Sequence, residues 1–536
     1  MSRRGSVLLG VGGLTLAARV VGFGRSLVFS KTVGDTCLGD VYNAANQLPN
    51  VLFEVAAGGV LAGVVVPVVA RHVGAGRRAE ADRTTSALLT WTLLVLTVVG
   101  VAALLGAGLF ARAYAKADCV GSASVLATLV VLFVPQVWFY GVAVVTAGVL
   151  QAHGRFLAAA TAPLLSSLVV VAAYVLFAAV ARPAATSDLA LLSRQALLVL
   201  GLGTTAGVVA LALSTAVPLT RLGLRVRPTL RFADGDARVV AAIGTAGLAG
   251  LVLQQVSVLV ITYAAQGTPD AGALTRFTWA NALYLLPYAV LAAPVLQLTF
   301  PRLAAAAERG GGAVGEVLRR TAPPLVVLGW LGAALLVATA LPVARVFVLG
   351  PGSGRTAALA GPVAALGPAV LAFALMGLAT RTLLAEHRAL AAGTATGVAW
   401  GVVTLGALVS AALAPDDGLV VGLAASVSVG LAVGALVGWV VLGRGPSRPG
   451  ARSTGVVAAL LAGLGAAVPA VLAGGAVGRL GAGSSLVVAL AFALAAAAVT
   501  GVVFVSVLAL VRPSLLRATW ALRHAGARDE AVSARA

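Results

Sequence analysis

Charge is what this sequence has least of. Of its 536 residues, 10% are Asp, Glu, Lys or Arg, against about a quarter in an ordinary soluble domain. A chain that is also 60% hydrophobic cannot cover a water-facing surface, so most of it must lie in lipid. Lysine is nearly missing: the 37 basic residues include only Lys31 and Lys116. A phosphate-binding loop needs Gly followed directly by Lys and then Ser or Thr, so that the ammonium reaches the phosphates the loop cradles. Lys31 follows Ser30 and Lys116 follows Ala115, so no nucleotide-driven motor of this type is encoded. Histidine is scarce too. His72, His153, His387 and His524 are scattered, and none has another ligand at metal-binding spacing. No nucleophile–base constellation is visible, so the sequence calls for no enzyme chemistry, cofactor or metal. The two cysteines, Cys37 and Cys119, fall in loops expected to face outward, where a disulfide could persist. Sequence alone leaves their pairing open.

What is present is a succession of apolar runs. Cut at polar, Gly-rich or Pro-rich breaks, they give fourteen spans of about 20 residues or more. These are 6–32, 41–70, 86–111, 124–150, 157–181, 190–218, 238–265, 275–300, 321–346, 361–384, 389–414, 419–442, 455–474 and 485–511. The opening "MSRRGSVLLGVGG" has the make-up of a signal peptide, even a twin-arginine one. Its apolar run continues past any cleavage point and contains Arg19, so it reads as an uncleaved first span. The fold class is an all-α polytopic membrane protein.

The formal charge of +20 invites a nucleic-acid reading, but the arginines are spread between apolar runs rather than gathered on one domain. No nucleic-acid partner is expected. Their distribution instead orients the chain. With the N-terminus inside, the cytoplasmic loops include "RHVGAGRRAEADR" (71–83), "RLGLRVRPTLRFADGDAR" (221–238), "PRLAAAAERGGGAVGEVLRR" (301–320) and "GRGPSRPGARS" (443–453). The opposite loops, such as "TPDAG" (268–272) and "APDDG" (414–418), are nearly free of arginine. This is the positive-inside pattern, and it puts both termini in the cytoplasm. The tail "RPSLLRATWALRHAGAR" (512–528) reads either as an amphipathic helix on the inner membrane surface or as a solvated basic tail.

Two spans break the apolar rule. The first contains "LAARVVGFGRS" (16–26), with Arg19 and Arg25 near its centre. An arginine at mid-bilayer costs roughly 2.5–3.5 kcal/mol on insertion scales and usually has an inward-facing role. Six residues apart, the two lie about 9 Å along a helix and roughly 120° around it. One stripe cannot hold both unless the helix bends, and Gly22 and Gly24 lie between them. The second span carries Asp40 at its outer end, then Asn43, Asn46, Gln47, Pro49 and Asn50, with Glu54 near its middle. Two readings remain. Arg19 or Arg25 pairs with Glu54 and pins two helices together, or the charges line a hydrated cavity whose surplus positive charge meets an anionic ligand. A guanidinium is well matched to phosphate oxygens through paired hydrogen bonds.

"ARVVGFGR" in the first span, Asp40 after it, "LPN" (48–50) and Pro67 resemble the MurJ (MviN) family of the multidrug/oligosaccharidyl-lipid/polysaccharide exporter superfamily. "QQVSVLVIT" (254–262) and the Pro287–Pro301 stretch are similar as well. The resemblance implies two six-helix lobes, 1–220 and 221–442, related by a pseudo-two-fold axis. Two further helices (443–511) would form a lipid-tail groove, followed by the basic tail (512–536). "ANQL" (45–48) and "ANAL" (280–283), each followed about twenty residues on by proline, echo such a duplication. The resemblance also implies a function: moving lipid II, the undecaprenyl-diphosphate-linked cell-wall precursor, between leaflets of the bacterial cytoplasmic membrane by alternating access. Cell-wall synthesis proteins would be its neighbours.

The family's cavity arginines match Arg19 and Arg25, and its acidic residue at the outer end of span 2 matches Asp40. Asn50 and Glu54 in span 2, with Arg276 and Asn281 in span 8, complete the expected substrate-facing set. The chain departs from the family where an arginine often follows "LPN", which here is the region of Phe53 and Glu54. It departs again at an Asp-Arg pair in span 8, replaced by Asn281 and Ala282. Rival readings are a lipid-linked saccharide other than lipid II, an antiporter for small organic cations, and a non-transporting envelope scaffold.

Overall fold

The computed structural model describes residues 3–521 except 117, 234, 239, 241–247, 311, 349–355, 446–453, 482 and 484. Every regular element among them is helical, the arrangement that satisfies each backbone group within its own segment where no water is available. The chain opens with α1 (Arg3–Thr32) and α2 (37–74). Six further segments follow: α3 (Arg78–Leu105), α4 (Ser122–Ala152), α5 (Phe156–Val180), α6 (Arg194–Thr220), α7 (Leu248–Gly267) and α8 (Ala273–Arg309). Then come α9 (Ala313–Phe347), α10 (Thr356–Ala385), α11 (Ala389–Leu413), α12 (Leu419–Gly443), α13 (Thr454–Leu480) and α14 (Leu486–Val511). Twelve of these, α3 to α14, are long and apolar enough to cross a membrane by composition alone. The two polar helices α1 and α2 bring the number to the fourteen read from the sequence. Of the basic tail, the part beyond residue 521 lies outside the described residues.

Local chemistry sets the boundaries and breaks. The hydroxyl of Thr36 accepts from the Gly39 N–H at 3.2 Å and starts α2, while Ser193 does the same for Ala196 at 3.1 Å at the head of α6. α4 is interrupted at Val134 and Pro135, where proline supplies no N–H to continue the ladder. α2 and α8 are interrupted differently. Each contains a five-residue π-helical segment, Glu54–Gly58 and Tyr288–Ala292, beginning a few residues after Pro49 in one and directly after Pro287 in the other. The π segments start 234 residues apart, within one residue of the offset between "ANQL" and "ANAL". The backbone thus repeats an irregularity at the register of the sequence echo.

The chain divides into two compact units, one ending at Leu274 and one beginning at Thr275. In the first, α5 packs on α6 and α1, α4 packs on α2, α3 and α6, and α7 packs on α2. Its apolar centre includes Phe53, Leu88, Leu96, Val137 and Leu150. In the second, α9 packs on α10, α13 and α14, and α12 packs on α10 and α11. The α11–α12 contact is close because Gly430 meets the backbone of Ala399 and the side chain of Val403, the small-residue packing that brings helices together in lipid.

A polar strap closes one end of the first unit. The backbone N–H groups of Arg225, Arg227 and Thr229 donate to Asp82 (3.3 Å), Ser86 (3.1 Å) and Thr90 (3.1 Å), successive positions on one face of α3. Two residues of extended chain advance about 6.7 Å and four of helix about 6 Å, so the registers match. The Trp91 indole N–H donates to the Leu230 carbonyl at 3.1 Å. Asp236, fully buried, then accepts from Arg71, His72 and Thr84. His72 stands between two carboxylates, 2.8 Å from Asp236 and 2.9 Å from Glu80.

Candidate functional site

The site begins on α1. Arg19 and Arg25 are both exposed, and the helix runs through Gly22 and Gly24 without a break. A methyl group added at either glycine would meet no atom within 4 Å, so the segment between the arginines faces open space. Neither arginine forms an ion pair with Glu54 among the described residues, so the pairing that would merely pin α1 to α2 is not observed.

α2 adds a polar stripe. Asn43, Asn46, Gln47, Asn50 and Glu54 fall within about 100° of one another on a 3.6-residue helix, and all five are half-buried. Of the residues between them, Ala44, Ala45, Pro49, Val51 and Phe53 are buried, and only Leu48 and Leu52 are half-buried. The polar side of α2 is therefore its less covered side, the reverse of what packing against lipid or core would select. Asn43 donates to the Gly39 carbonyl at 2.9 Å and Asn50 to the Asn46 carbonyl at 2.8 Å. The side-chain oxygen of Asn46 is buried and accepts no hydrogen bond. Glu54 opens the π segment, a local widening that is common at functional positions.

Behind Arg25 stands a chain of hydroxyls. Thr204 donates to the Leu200 carbonyl at 2.8 Å, so its oxygen accepts from Tyr42 at 3.0 Å. Tyr42 in turn accepts from Tyr174 at 2.8 Å, because each hydroxyl has one proton to give. Phe29 and Phe133 pack on these rings at 5.1–5.4 Å between centroids. The Arg25 guanidinium acts electrostatically on the hydroxyls of Tyr42, Tyr140 and Tyr174. The tyrosines, unnoticed in the sequence, form a rigid and electron-rich backing for this cation.

Asp40 is placed elsewhere. It is fully buried at the start of α2, where its carboxylate lies 3.4 Å from the Lys116 ammonium and accepts from the Gly272 N–H at 2.9 Å. Its backbone carbonyl accepts from Gln266 at 3.2 Å. Lys116, itself buried, donates to the carbonyls of Ala265 (2.8 Å) and Asp270 (3.0 Å). Gly272 has φ +87° and lies against the Asp35 backbone, a position that admits only glycine comfortably. Cys37 and Cys119 are joined by a disulfide with Cα atoms 5.8 Å apart, settling the pairing left open by the sequence. This cluster fastens the loop before α4 and the turn after α7 to the head of α2. Asp40 is thus buried at the head of α2, held by Lys116 and Gly272. Lys116 had a signal, as one of two lysines among 37 basic residues, but its partners are too distant in sequence to be guessed.

Arg276 and Asn281 belong to the second unit, in the first turns of α8. Arg276 is buried and Asn281 half-buried. Among the described residues no three His, Cys, Asp or Glu side chains converge in a way that could hold a metal ion.

The arrangement matches known proteins along most of the chain. The family model described as lipid II flippase MurJ matches residues 29–481. A lipid II flippase MurJ of Burkholderia cenocepacia is 32% identical over 177 residues, covering 32% of this chain and 34% of that protein. A probable lipid II flippase MurJ of Rhizobium meliloti is 28% identical over 313 residues, 56% of this chain and 55% of that one. The matched segments thus span between about a third and about half the length of these curated relatives. Among solved structures, the fold is similar to that of the lipid II flippase MurJ in an inward closed conformation. The TM-score is 0.71 at 15% identity, covering 94% of this chain and 99% of that one. It is also similar to an inward-facing multidrug resistance MATE family transporter of the MOP superfamily, with a TM-score of 0.63 at 16% identity over 82% of this chain and 96% of that one. With a family model covering residues 29–481, this multi-pass membrane protein belongs to the MurJ family of lipid II flippases.

Proposed function

We propose that this chain moves lipid II, or a close undecaprenyl-diphosphate-linked relative, from the inner to the outer leaflet of the bacterial inner membrane by alternating access. The observation that carries the reading is the pair of exposed guanidiniums on α1 that form no ion pair among the described residues, with open space at the two glycines between them. They hold the diphosphate through charge-assisted hydrogen bonds while the head group crosses in water and the isoprenoid stays in lipid. The polar stripe of α2, including Asn50 and Glu54, meets the sugar hydroxyls, and Arg276 and Asn281 contribute from the second lobe. Asp40 acts at the outer end of α2, where Lys116 now holds it. Both termini are cytoplasmic. Moving one elementary charge across the membrane is worth about 2.3 kcal/mol per 100 mV, so an inside-negative potential drives an anionic head group outward. Likeness to a MATE fold raises the alternative of cation export, which would call for acidic rather than basic groups on the open face.

The experiment is complementation of a flippase-depleted strain by Arg19→Ala and Arg25→Ala variants, with protein levels checked. Each single variant should fail, and reconstituted protein should translocate labelled lipid II faster under an imposed potential. Full activity of the double variant would refute the mechanism, and drug resistance conferred by the chain would favour cation export.

A further inference from the structure

The second unit contains a cavity of about 700 Å³ that the transport reading does not use. It lies between α9, α10, α12 and α13, and its wall is apolar, formed by side chains such as Leu318, Leu371, Leu375 and Leu460. None of the lining residues comes from α14, so the cavity is distinct from a groove between α13 and α14. Leu318 and Arg319 stand in the first turns of α9, Gly455 in the first turn of α13, and Trp439 near the end of α12. The arginine distribution assigns all three helix ends to the cytoplasmic half of the membrane. Leu436 and Val457 are 64% and 54% exposed on α12 and α13, which leaves the cavity open to the surrounding lipid.

Two features are polar. Arg319 lies at the rim, and although it pairs with Glu316, Arg320 pairs with the same carboxylate, so the group keeps a net positive charge. Trp439 lines the cavity, and its buried indole N–H has no acceptor. An indole N–H is normally satisfied when it is buried. Both are donors: the Trp439 N–H has no acceptor among the described residues, and Arg319 shares its one carboxylate with Arg320.

We propose that this cavity is a binding site for an anionic glycerophospholipid of the inner leaflet. One acyl chain fills the apolar space, an ester oxygen accepts from Trp439, and the phosphate meets Arg319. Size favours an acyl chain over a polyprenyl chain. At about 30 Å³ per water-sized group the cavity holds about two dozen methylene-sized groups, which matches one acyl chain, whereas an undecaprenyl chain would leave more than half its length outside in the lipid. Affinity must come from the head group, because moving a chain from bilayer to an apolar cavity exchanges one hydrocarbon environment for another. Selectivity for charge follows from that.

The test uses the indole as reporter. Full-length protein is reconstituted in phosphatidylcholine vesicles, and brominated phosphatidylglycerol or brominated phosphatidylcholine is titrated in. The emission of Trp439 is taken as the difference between the parent and Trp439→Phe. Brominated phosphatidylglycerol should quench that emission at a mole fraction at least threefold lower than brominated phosphatidylcholine. Arg319→Gln should abolish the preference. Gly455→Leu and Ala372→Leu, which fill the cavity from two different helices, should each lower the quenching at least twofold in protein that stays monodisperse. Equal quenching by both lipids, or unchanged quenching in a folded cavity-filling variant, would overturn the proposal. Displacement of brominated phosphatidylglycerol by an equimolar amount of undecaprenyl phosphate would overturn the choice of occupant. None of these readouts depends on flippase activity.

Discussion

Replacing Lys116 by Met tests the outer cluster most directly. Lys116 and Asp40 both have fully buried side chains, so the substitution leaves a carboxylate without its cation inside the protein. At 3.4 Å and an effective dielectric constant of 20, the lost attraction is about 5 kcal/mol. That agrees with the roughly 3–5 kcal/mol measured when one partner of a buried pair is removed. The Ala265 and Asp270 carbonyls lose their donor as well.

A protein built of two compact units need not unfold in one step, so the measurement should be local. The Gly272 amide donates to the Asp40 carboxylate, and hydrogen exchange of the 266–274 segment in nanodiscs reports its opening. A loss of about 3–5 kcal/mol raises the exchange-competent population roughly two to four powers of ten. The double variant Lys116→Met, Asp40→Asn should recover most of that protection, because it removes the uncompensated charge. If the single variant exchanges within threefold of the parent, the ion pair does not hold this end of the chain.

Reducing the bridge, or replacing Cys37 and Cys119 by Ser, opens a crosslink spanning 82 residues. A loop of that length is worth about 4.5 kcal/mol in the chain-entropy treatment, so heat inactivation should occur at clearly lower temperature in reductant, and equally in the double-Ser variant without it. Asp236→Asn keeps the shape of the strap anchor but removes the charge that Arg71, His72 and Thr84 share. A cost of about 2–3 kcal/mol for charged hydrogen bonds should appear as faster proteolysis within 221–238, and an unchanged cleavage rate would refute the anchor role. Deleting Ala56 should convert the π segment of α2 to regular helix, closing the widened turn at Glu54 while leaving the helix after it nearly in register. Complementation should fail while the protein still accumulates, and retained activity would show that the π segment is incidental.

Much of this was legible because the bilayer imposes a simple rule. Fourteen long apolar runs become fourteen helices since nothing else satisfies their backbones in lipid, and the exposed placement of Arg19 and Arg25 follows from the cost of burying unpaired charge. The half-buried stripe from Asn43 to Glu54 was legible as polarity at helical spacing. The clusters at the ends of the helices were not. Nothing near Asp40 in the sequence announces its partners Lys116, Gln266 and Gly272, which arrive from 76 to 232 residues away. His72 reads as an isolated histidine until Asp236 joins it from 164 residues away. Such contacts depend on which loops meet, and periodicity within one helix says nothing of that. The tyrosines behind Arg25 escaped for a related reason, since aromatic residues in an apolar run look like core until their hydroxyls are seen to be linked.

The two π segments share a backbone irregularity and differ in the chemistry placed on it. Glu54 and Tyr288 each open a π segment in the second helix of their half, so the backbone irregularity is shared. The chemistry placed on it is opposite. Glu54 is a carboxylate with no ion pair among the described residues, two helices deep in the half that carries Arg19 and Arg25. Tyr288 is a neutral hydroxyl whose ring lies tilted against Phe373 at 4.4 Å between centroids, in the electrostatic reach of Arg381, whose guanidinium donates to the Gly377 carbonyl at 3.1 Å. A device that only needed to bend could keep either residue at both places. The shared element is therefore the backbone irregularity, while the polar stripe of α2 and the exposed Arg19 and Arg25 of α1 belong to the first half alone.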